Sequence, residues 1–255
     1  MWERDGTAMV AGPVHAVGKK KKFIFWQSFF FIFVMLLAGY VLLQSPFFII
    51  TKITVQGNNK VTAGEIVQVS GLVTGLNIFK ADLPTASAKV KVLPMIKEVN
   101  IIRDFPDTIV IKVVERKPVV LLVIDGNFVE LDAEGYYLRQ GNIATTGLPV
   151  VTGVQVQAAG PGKKVTGKSL NTALQVVQEL GGQLRDNLSE VHVNNVGLVT
   201  LYTLDGIECR LGTAKDAAIK GNYFLQVIED LKEDNKNIEY VDFSIINSPV
   251  VKYKD

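Results

Sequence analysis

The stretch that decides the fold is VNIIRDFPDTIVIKVVERKPV, residues 99–119. Apolar residues occupy alternate positions on both sides of the central DFPD, for example Ile109, Ile111 and Val113. Alternation with a period of two is typical of a half-buried strand. Proline fixes φ and aspartate can bond its own neighbouring backbone, so DFPD favours a turn. The stretch therefore predicts two strands joined by a turn, over 96–103 and 108–116.

Upstream of these strands the sequence predicts one further strand and two short helices. The strand covers 47–56, where apolar and polar residues alternate before a Gly-Asn-Asn turn. Thr62 and Glu65 have the spacing of a capping box, which opens a helix that Gly71 ends. A second helix is predicted over 85–93. The module thus has the order strand, helix, helix, strand, strand.

Downstream of residue 118, short predicted strands alternate with turns and two helices interrupt them. The helices are predicted over 169–180 and 214–232. Closing strands are expected over 238–246 and 250–253, separated by the turn-forming sequence Asn-Ser-Pro. This half is therefore predicted to be a mostly antiparallel β domain with two helices. Together with the first module it places the chain in the α+β class.

The residues 23–43 contain no charged side chain, and a helix of that length crosses roughly the 30 Å hydrocarbon core of a bilayer. A buried core helix is usually shorter, and a cleaved signal peptide ends at a small-x-small site that this segment lacks. We therefore expect an uncleaved transmembrane helix. Four lysines at 19–22 precede it directly. The positive-inside rule then places the tail 1–22 in the cytoplasm and the rest of the chain outside.

The composition excludes several functional classes. The chain has 255 residues with 27 Lys and Arg against 25 Asp and Glu, so it lacks the basic excess of a nucleic-acid-binding protein. One cysteine and two histidines leave few residues for a metal site or a catalytic base. Cys209 is expected to be a core residue and His192 an exposed strand residue. No cofactor, metal ion, small-molecule substrate or catalytic set is expected, so an enzyme is not predicted.

Several motifs follow one another in a specific order. The first module contains GNNKVT (57–62) and RDFPDT (103–108) followed by ERKP (115–118); the second contains LDAEGYYL (131–138), ECRLG (208–212) and YVDFSIINSPVVKY (240–253). In this order the motifs resemble the FtsQ/DivIB family of bacterial divisome proteins. The resemblance implies four segments: the cytoplasmic tail 1–22, the transmembrane helix 23–43, a POTRA domain over 47–117 and an FtsQ/DivIB-type β domain over 118–253.

The resemblance also implies a non-catalytic role at the division septum. A single-pass protein of this family, with its N-terminus in the cytoplasm, binds FtsB/DivIC-like and FtsL-like proteins outside the cytoplasmic membrane, and septal peptidoglycan synthases are further candidate partners. The closing strand and the helix before it are implied as the docking surface. The matching positions are Ile245, Asn247, Lys252 and Tyr253.

The residues alone are compatible with this docking surface, because a strand near a chain end often lies at a sheet edge to which a partner strand can add. They also leave two other classes open. One is a POTRA-containing transport or secretion component, and the other is a membrane-anchored cell-wall enzyme.

Overall fold

The computed structural model describes residue 12 and residues 20–157, 159–233, 238–245 and 248–254, so most of the predicted tail 1–22 lies outside it. The first element is helix α1 (Lys20–Leu43), whose apolar part Phe25–Leu43 is exposed along its whole length. A helix that is apolar on all sides and packs against no described part of the chain is suited to hydrocarbon. A 3-10 turn (Pro46–Phe48) follows it.

The first module is a three-stranded sheet with two helices. Its elements in chain order are β1 (Lys52–Gln56), α2 (Ala63–Ser70), α3 (Leu83–Lys91), β2 (Ile96–Asp104) and β3 (Thr108–Glu115). The central strand β3 pairs parallel with β1 and antiparallel with β2. The predicted order of strand, helix, helix, strand, strand is confirmed.

Two boundaries in this module differ from the prediction. The strand predicted from residue 47 begins only at Lys52, because Ser45 caps the 3-10 turn that Pro46 begins. The helix predicted from residue 85 begins at Leu83, because the carboxylate of Asp82 accepts a hydrogen bond from the first turn and so acts as its N-cap. In both places a side chain fixes the boundary, and apolar periodicity does not report it.

The second module is built on a nine-stranded sheet. The strands of this sheet are, in chain order, β4 (Pro118–Ile124), β5 (Asn127–Asp132), β6 (Tyr137–Gln140), β7 (Val150–Thr152), β10 (Leu188–Val193), β11 (Val199–Thr203), β12 (Glu208–Gly212), β13 (Ile238–Asp242) and β14 (Val250–Tyr253). Between β7 and β10 the chain forms a separate hairpin of β8 (Gln155–Gln157) and β9 (Thr166–Lys168). The spatial order is β14-β13-β12-β11-β10-β7-β4-β5-β6. Three neighbouring pairs are parallel (β4 with β7, β7 with β10, β12 with β13) and the others are antiparallel, which confirms the mostly antiparallel prediction.

Four described helices accompany this sheet: α4 (Ile143–Thr146), α5 (Leu170–Glu179), α6 (Gly182–Arg185) and α7 (Ala217–Glu233). The helices α5 and α7 are the two that the apolar spacing predicts, and α4 and α6 are single turns too short to show a period. The core forms where α5 and α7 contribute Val176 and Phe224 against strand residues such as Leu201. Cys209 on β12 is also fully buried, as expected for a core residue, and burial raises the pKa of its thiol.

The guanidinium of Arg116 joins the two modules. It donates to the carboxylates of Asp132, at the end of β5, and of Glu134, in the turn that follows, and it stacks 3.7 Å from the ring centre of Tyr136. Only 11% of the Arg116 side chain and 7% of the Asp132 side chain are exposed. Lys97 on β2 adds a second ion pair to Glu134, at 2.6 Å. The joint is therefore a partly buried charge network and not a free linker.

The carboxylate of Glu115 closes the first module at the end of β3. It accepts hydrogen bonds from the backbone N–H groups of Asn59, Lys60 and Val61, at 2.8–2.9 Å. The turn reaches this carboxylate because Gly57 has a φ of +85°, and a Cβ there would lie 2.1 Å from the carbonyl oxygen of Val113. The GNNKV and ERKP motifs therefore contact each other in the folded module.

We expect Glu115→Gln to destabilise the first module at neutral pH but not in acid. Burial acts to raise the pKa of Glu115, but the three N–H donors more than offset it, so the folded-state pKa lies below the ordinary value. The carboxylate therefore stabilises the fold above the unfolded-state value of about 4.3 and loses this effect as pH falls through the lowered value. Pulse proteolysis in urea across this pH range measures the difference. Glu98→Gln, on the exposed face of β2, is the control and should change stability little at any pH.

Candidate protein-binding edge

The last strand, β14, lies at one end of the nine-stranded sheet. It pairs antiparallel with β13, with Val250 opposite Asp242, Val251 opposite Val241 and Lys252 opposite Tyr240. In the described part of the chain no strand pairs with its other side. Such an edge presents a row of backbone N–H and C=O groups to solvent, and these groups can pair with an added strand.

The turn before β14 is set by polar side chains and a proline. The strand predicted over 238–246 ends at Asp242, because the carboxylate of Asp242 accepts a hydrogen bond from the N–H of Ser244, at 2.8 Å, and turns the chain. Phe243 nevertheless stays buried, and its N–H donates to the carbonyl of Arg210. Pro249, which lacks an N–H, immediately precedes β14, a position that a sheet edge tolerates.

The structure brings three of the four predicted site residues to this edge or its turn. Ile245 lies in the turn with 68% of its surface exposed. Lys252 and Tyr253 lie in β14, and Tyr253 is 42% exposed. The fourth residue, Asn247, lies outside the described residues. In strand addition the backbone of an exposed edge supplies the hydrogen bonds, and side chains beside it, here Ile245 and Tyr253, can supply selectivity.

The charge of Lys252 is locally compensated. Its ammonium group lies 2.8 Å from the carboxylate of Glu239 on β13, and this hydrogen bond and ion pair raise the pKa of Lys252. On the same side of the sheet, the guanidinium of Arg210 stacks 3.8 Å from the ring centre of Tyr240 and pairs with Glu208. These described charges are therefore paired locally, beside the exposed apolar surfaces of Ile245, Val250 and Tyr253.

Three exposed apolar residues, on β14 and on the helix α7, are not identified individually from the sequence. Val250, at the start of β14, is 56% exposed, although its position in a VV pair gives no sign of which valine faces outward. On α7, Ile219 and Tyr223 lie one turn apart and both are about half exposed. The sequence does contain a signal for this exposed pair. Both residues are apolar, they lie one helical turn apart, and they fall outside the buried positions of the helix.

A small cluster of polar side chains surrounds His192 on β10. The imidazole Nδ1 of His192 lies 2.8 Å from the hydroxyl of Thr152 and 4.0 Å from the carboxylate of Glu190, on a half-exposed strand surface. No group of three or more metal-ligating side chains occurs within the part of the chain that the structure describes. The hydroxyl of Thr152 also donates to Glu190, so these three side chains form a local hydrogen-bond network.

Comparison with known protein families identifies both modules. Residues 120–244 match the family model described as cell division protein FtsQ/DivIB, C-terminal, and residues 48–116 match the FtsQ-type POTRA domain. A solved structure of the major extracytoplasmic domain of the division protein DivIB from Geobacillus stearothermophilus aligns with 47% of this chain and 96% of that domain, at 18% identity and a TM-score of 0.33.

Two relatives match most of the chain. The cell division protein FtsQ of Syntrophotalea carbinolica is 31% identical over 222 residues, which are 84% of this chain and 77% of that protein. The cell division protein DivIB of Clostridium botulinum strain Hall is 27% identical over 241 residues, or 92% of this chain and 93% of that protein. The chain therefore belongs to the FtsQ/DivIB family of cell division proteins, as a member anchored by a single membrane-spanning helix.

Proposed function

We propose that this protein is a non-catalytic scaffold of the divisome, which binds FtsB/DivIC-like and FtsL-like division proteins and so supports septum formation. The observation that carries the proposal is the position of β14 at the end of the nine-stranded sheet, next to exposed apolar side chains. Septal peptidoglycan synthases are proposed as partners of the resulting assembly. Neither a nucleic acid nor a small-molecule substrate has a role in it.

The binding mode we propose is strand addition. A partner strand pairs with the backbone of β14 and extends the sheet, which provides main-chain affinity, and side chains at the edge provide selectivity. Ile245, Lys252 and Tyr253 are proposed contacts, together with Asn247. Since the charge of Lys252 is already paired with Glu239, the partner strand is expected to be mainly apolar where it meets Val250 and Tyr253.

The exposed pair on α7 extends this surface in the proposal. Ile219 and Tyr223 leave an apolar strip on the helix that connects β12 to β13. A partner that continues beyond its added strand as an amphipathic helix can cover this strip with one face, since apolar residues at helical spacing on two helices pack together. This second contact distinguishes a strand-plus-helix partner from a strand alone.

We propose that the tail 1–22 is cytoplasmic and that both modules lie outside, which the lysines at 19–22 support through the positive-inside rule. We propose the boundaries 23–43 for the transmembrane helix, 47–117 for the POTRA domain and 118–253 for the β domain. In this arrangement the protein is located in the cytoplasmic membrane at the division septum, and the partner-binding edge is extracytoplasmic.

Site-specific photo-crosslinking in dividing cells tests the proposal. A photoreactive residue at 245 or 253 is expected to capture a small single-pass coiled-coil division protein of the FtsB/DivIC type, identified by mass spectrometry. The matched control is position 123, where Val123 is 46% exposed on β4, on the same module but six strands away from β14. It should capture no such protein.

Two outcomes would contradict the proposal. Capture of an outer-envelope protein or a secretion substrate at 245 and 253 would favour a transport role. Absence of any capture at both positions, in cells that divide normally with the substituted protein, would show that β14 is not the docking edge.

A further inference from the structure

Four phenylalanines form an exposed aromatic cluster on the first module: Phe47, Phe48, Phe79 and Phe105. The ring centres of successive members lie 5.1–5.4 Å apart, within the range of favourable aromatic contacts. Phe47, Phe79 and Phe105 are 64%, 42% and 55% exposed. A globular module gains little by placing three such rings in water, so this patch is expected to face an apolar environment.

The cluster is assembled from three separate segments that hydrogen bonds connect to one another. Phe47 and Phe48 belong to the 3-10 turn after α1. Phe79 lies in a second 3-10 turn, Ile78–Lys80, which precedes α3, and Phe105 lies in the turn between β2 and β3. The guanidinium of Arg103 donates to the carbonyls of Ile78 and Ala81, both at 2.8 Å, and so ties the second segment to the third. The rings are therefore preorganised as one surface.

The position of this aromatic cluster is fixed with respect to the end of the membrane-spanning helix. The side-chain amide of Asn77 donates to the carbonyl of Leu43, the last residue of α1, at 2.8 Å. Ile50, which is fully buried in the first module, donates its N–H to the carbonyl of Leu76. Phe47 follows Leu43 by only four residues, which span at most about 14 Å. The cluster is thus within reach of the layer in which the hydrocarbon core meets the headgroups.

Charges beside the cluster are of both signs. The hydroxyl of Thr51 donates to the carboxylate of Asp107 and lowers its pKa, and the nearby positive charge of Lys52 adds a smaller effect in the same direction. Lys80 is exposed next to Phe79. A surface with opposite charges and exposed aromatic rings is suited to the membrane interface, where amphipathic rings accumulate, and does not depend on anionic lipid.

We propose that the aromatic cluster inserts into the interface of the bilayer that α1 spans, so that the first module docks on the membrane surface. The occupant of this surface is lipid, at the boundary between headgroups and acyl chains. The inference rests on α1 being the membrane-spanning helix and is independent of the partner-binding edge. Docking gives the first module a defined orientation, because α1 and the inserted rings attach it to the membrane at separate points.

Electron paramagnetic resonance of a nitroxide on the full chain in lipid nanodiscs tests this inference. The label is attached to Lys80→Cys, and its collisions with oxygen and with a water-soluble nickel chelate report its depth. The expected position is within about 5–10 Å of the headgroup–acyl boundary. As a control, a label on Val196→Cys, in the exposed turn between β10 and β11, should be fully accessible to water. The unsubstituted chain, whose single cysteine is buried, gives the labelling background.

A second pair of samples separates insertion of the rings from simple tethering. In the Lys80→Cys chain, the added substitutions Phe79→Ser and Phe105→Ser are expected to move the label into water, equally in zwitterionic and in anionic nanodiscs. Proteolysis resistance checks that this variant is folded. The inference is overturned if the label at 80 is as accessible to nickel as the label at 196, which would leave the cluster for a protein partner. It is also overturned if the serine substitutions leave the depth unchanged.

Discussion

Phe224→Ala is expected to lower the free energy of unfolding of the β domain by about 3–5 kcal/mol, the usual cost of deleting a buried phenylalanine ring. Phe224 is fully buried on α7, and its ring packs edge-to-face on Phe243, with 6.3 Å between the ring centres. Removal of the ring leaves a cavity between the helix and the end of β13. Because Phe243 immediately follows β13, the variant should also loosen the β13–β14 hairpin and reduce crosslinking from positions 245 and 253.

Urea-dependent pulse proteolysis of the full chain in detergent measures this loss directly. Tyr223→Ala removes the neighbouring aromatic ring, which is about half exposed, and is expected to cost much less. The pair of variants separates the two roles of α7, since Tyr223 is proposed to contact the partner and Phe224 to support the fold. Equal stability of the Phe224→Ala chain and the unsubstituted chain would contradict the packing described for α7.

Arg116→Met is expected to destabilise the junction of the two modules by about 3–5 kcal/mol, because it leaves a buried carboxylate without its counter-charge. The carboxylate is that of Asp132, whose second oxygen already accepts hydrogen bonds from the N–H groups of Glu134 and Tyr136. Methionine fills much of the same volume but neutralises nothing. We expect earlier unfolding in urea and faster cleavage of the chain near residue 117.

A double-mutant cycle identifies the cause. Asp132→Asn keeps an oxygen for the two N–H donors and removes the charge, so the double variant should be more stable than Arg116→Met alone. Arg185→Met is the control, because Arg185 and Asp186 form an exposed pair, at 3.8 Å, of the kind that contributes little. If the double variant is as unstable as Arg116→Met, the loss comes from stacking on Tyr136 and not from the unpaired charge.

Most of the fold was predictable because its information is local. The strands β2 and β3 are found within one residue of the predicted bounds, since apolar alternation and the DFPD turn are both short-range features. The errors fall where one side chain overrides periodicity. Asp82 starts α3 earlier than expected, and Asp242 ends β13 earlier than expected. The short helices α4 and α6 escape prediction because a single turn has no period to detect.

The sequence identifies the segment that forms the candidate site, but not where this segment lies in the sheet or which of its side chains are exposed. The position of β14 at the sheet end depends on strand order, which no local pattern reports, and on the parallel pairing of β12 with β13 across α7. The pairing of Lys252 with Glu239 and the exposure of Val250 depend on register. The contact between Glu115 and the turn at 59–61 is similarly non-local, although both motifs were recognised individually.

The order of strands in the β domain also separates its last strand from the strand through which the chain enters it. The chain enters the sheet through β4, and β14 lies six strands away. At about 4.8 Å between neighbouring strands this offset is roughly 29 Å, which is more than the combined width of two helices. A strand added to β14 therefore runs well to one side of the point where this chain enters the β domain. A chain bound at β14 is therefore held apart from this protein's own connection to the membrane. The space between the two chains is wide enough for further helices.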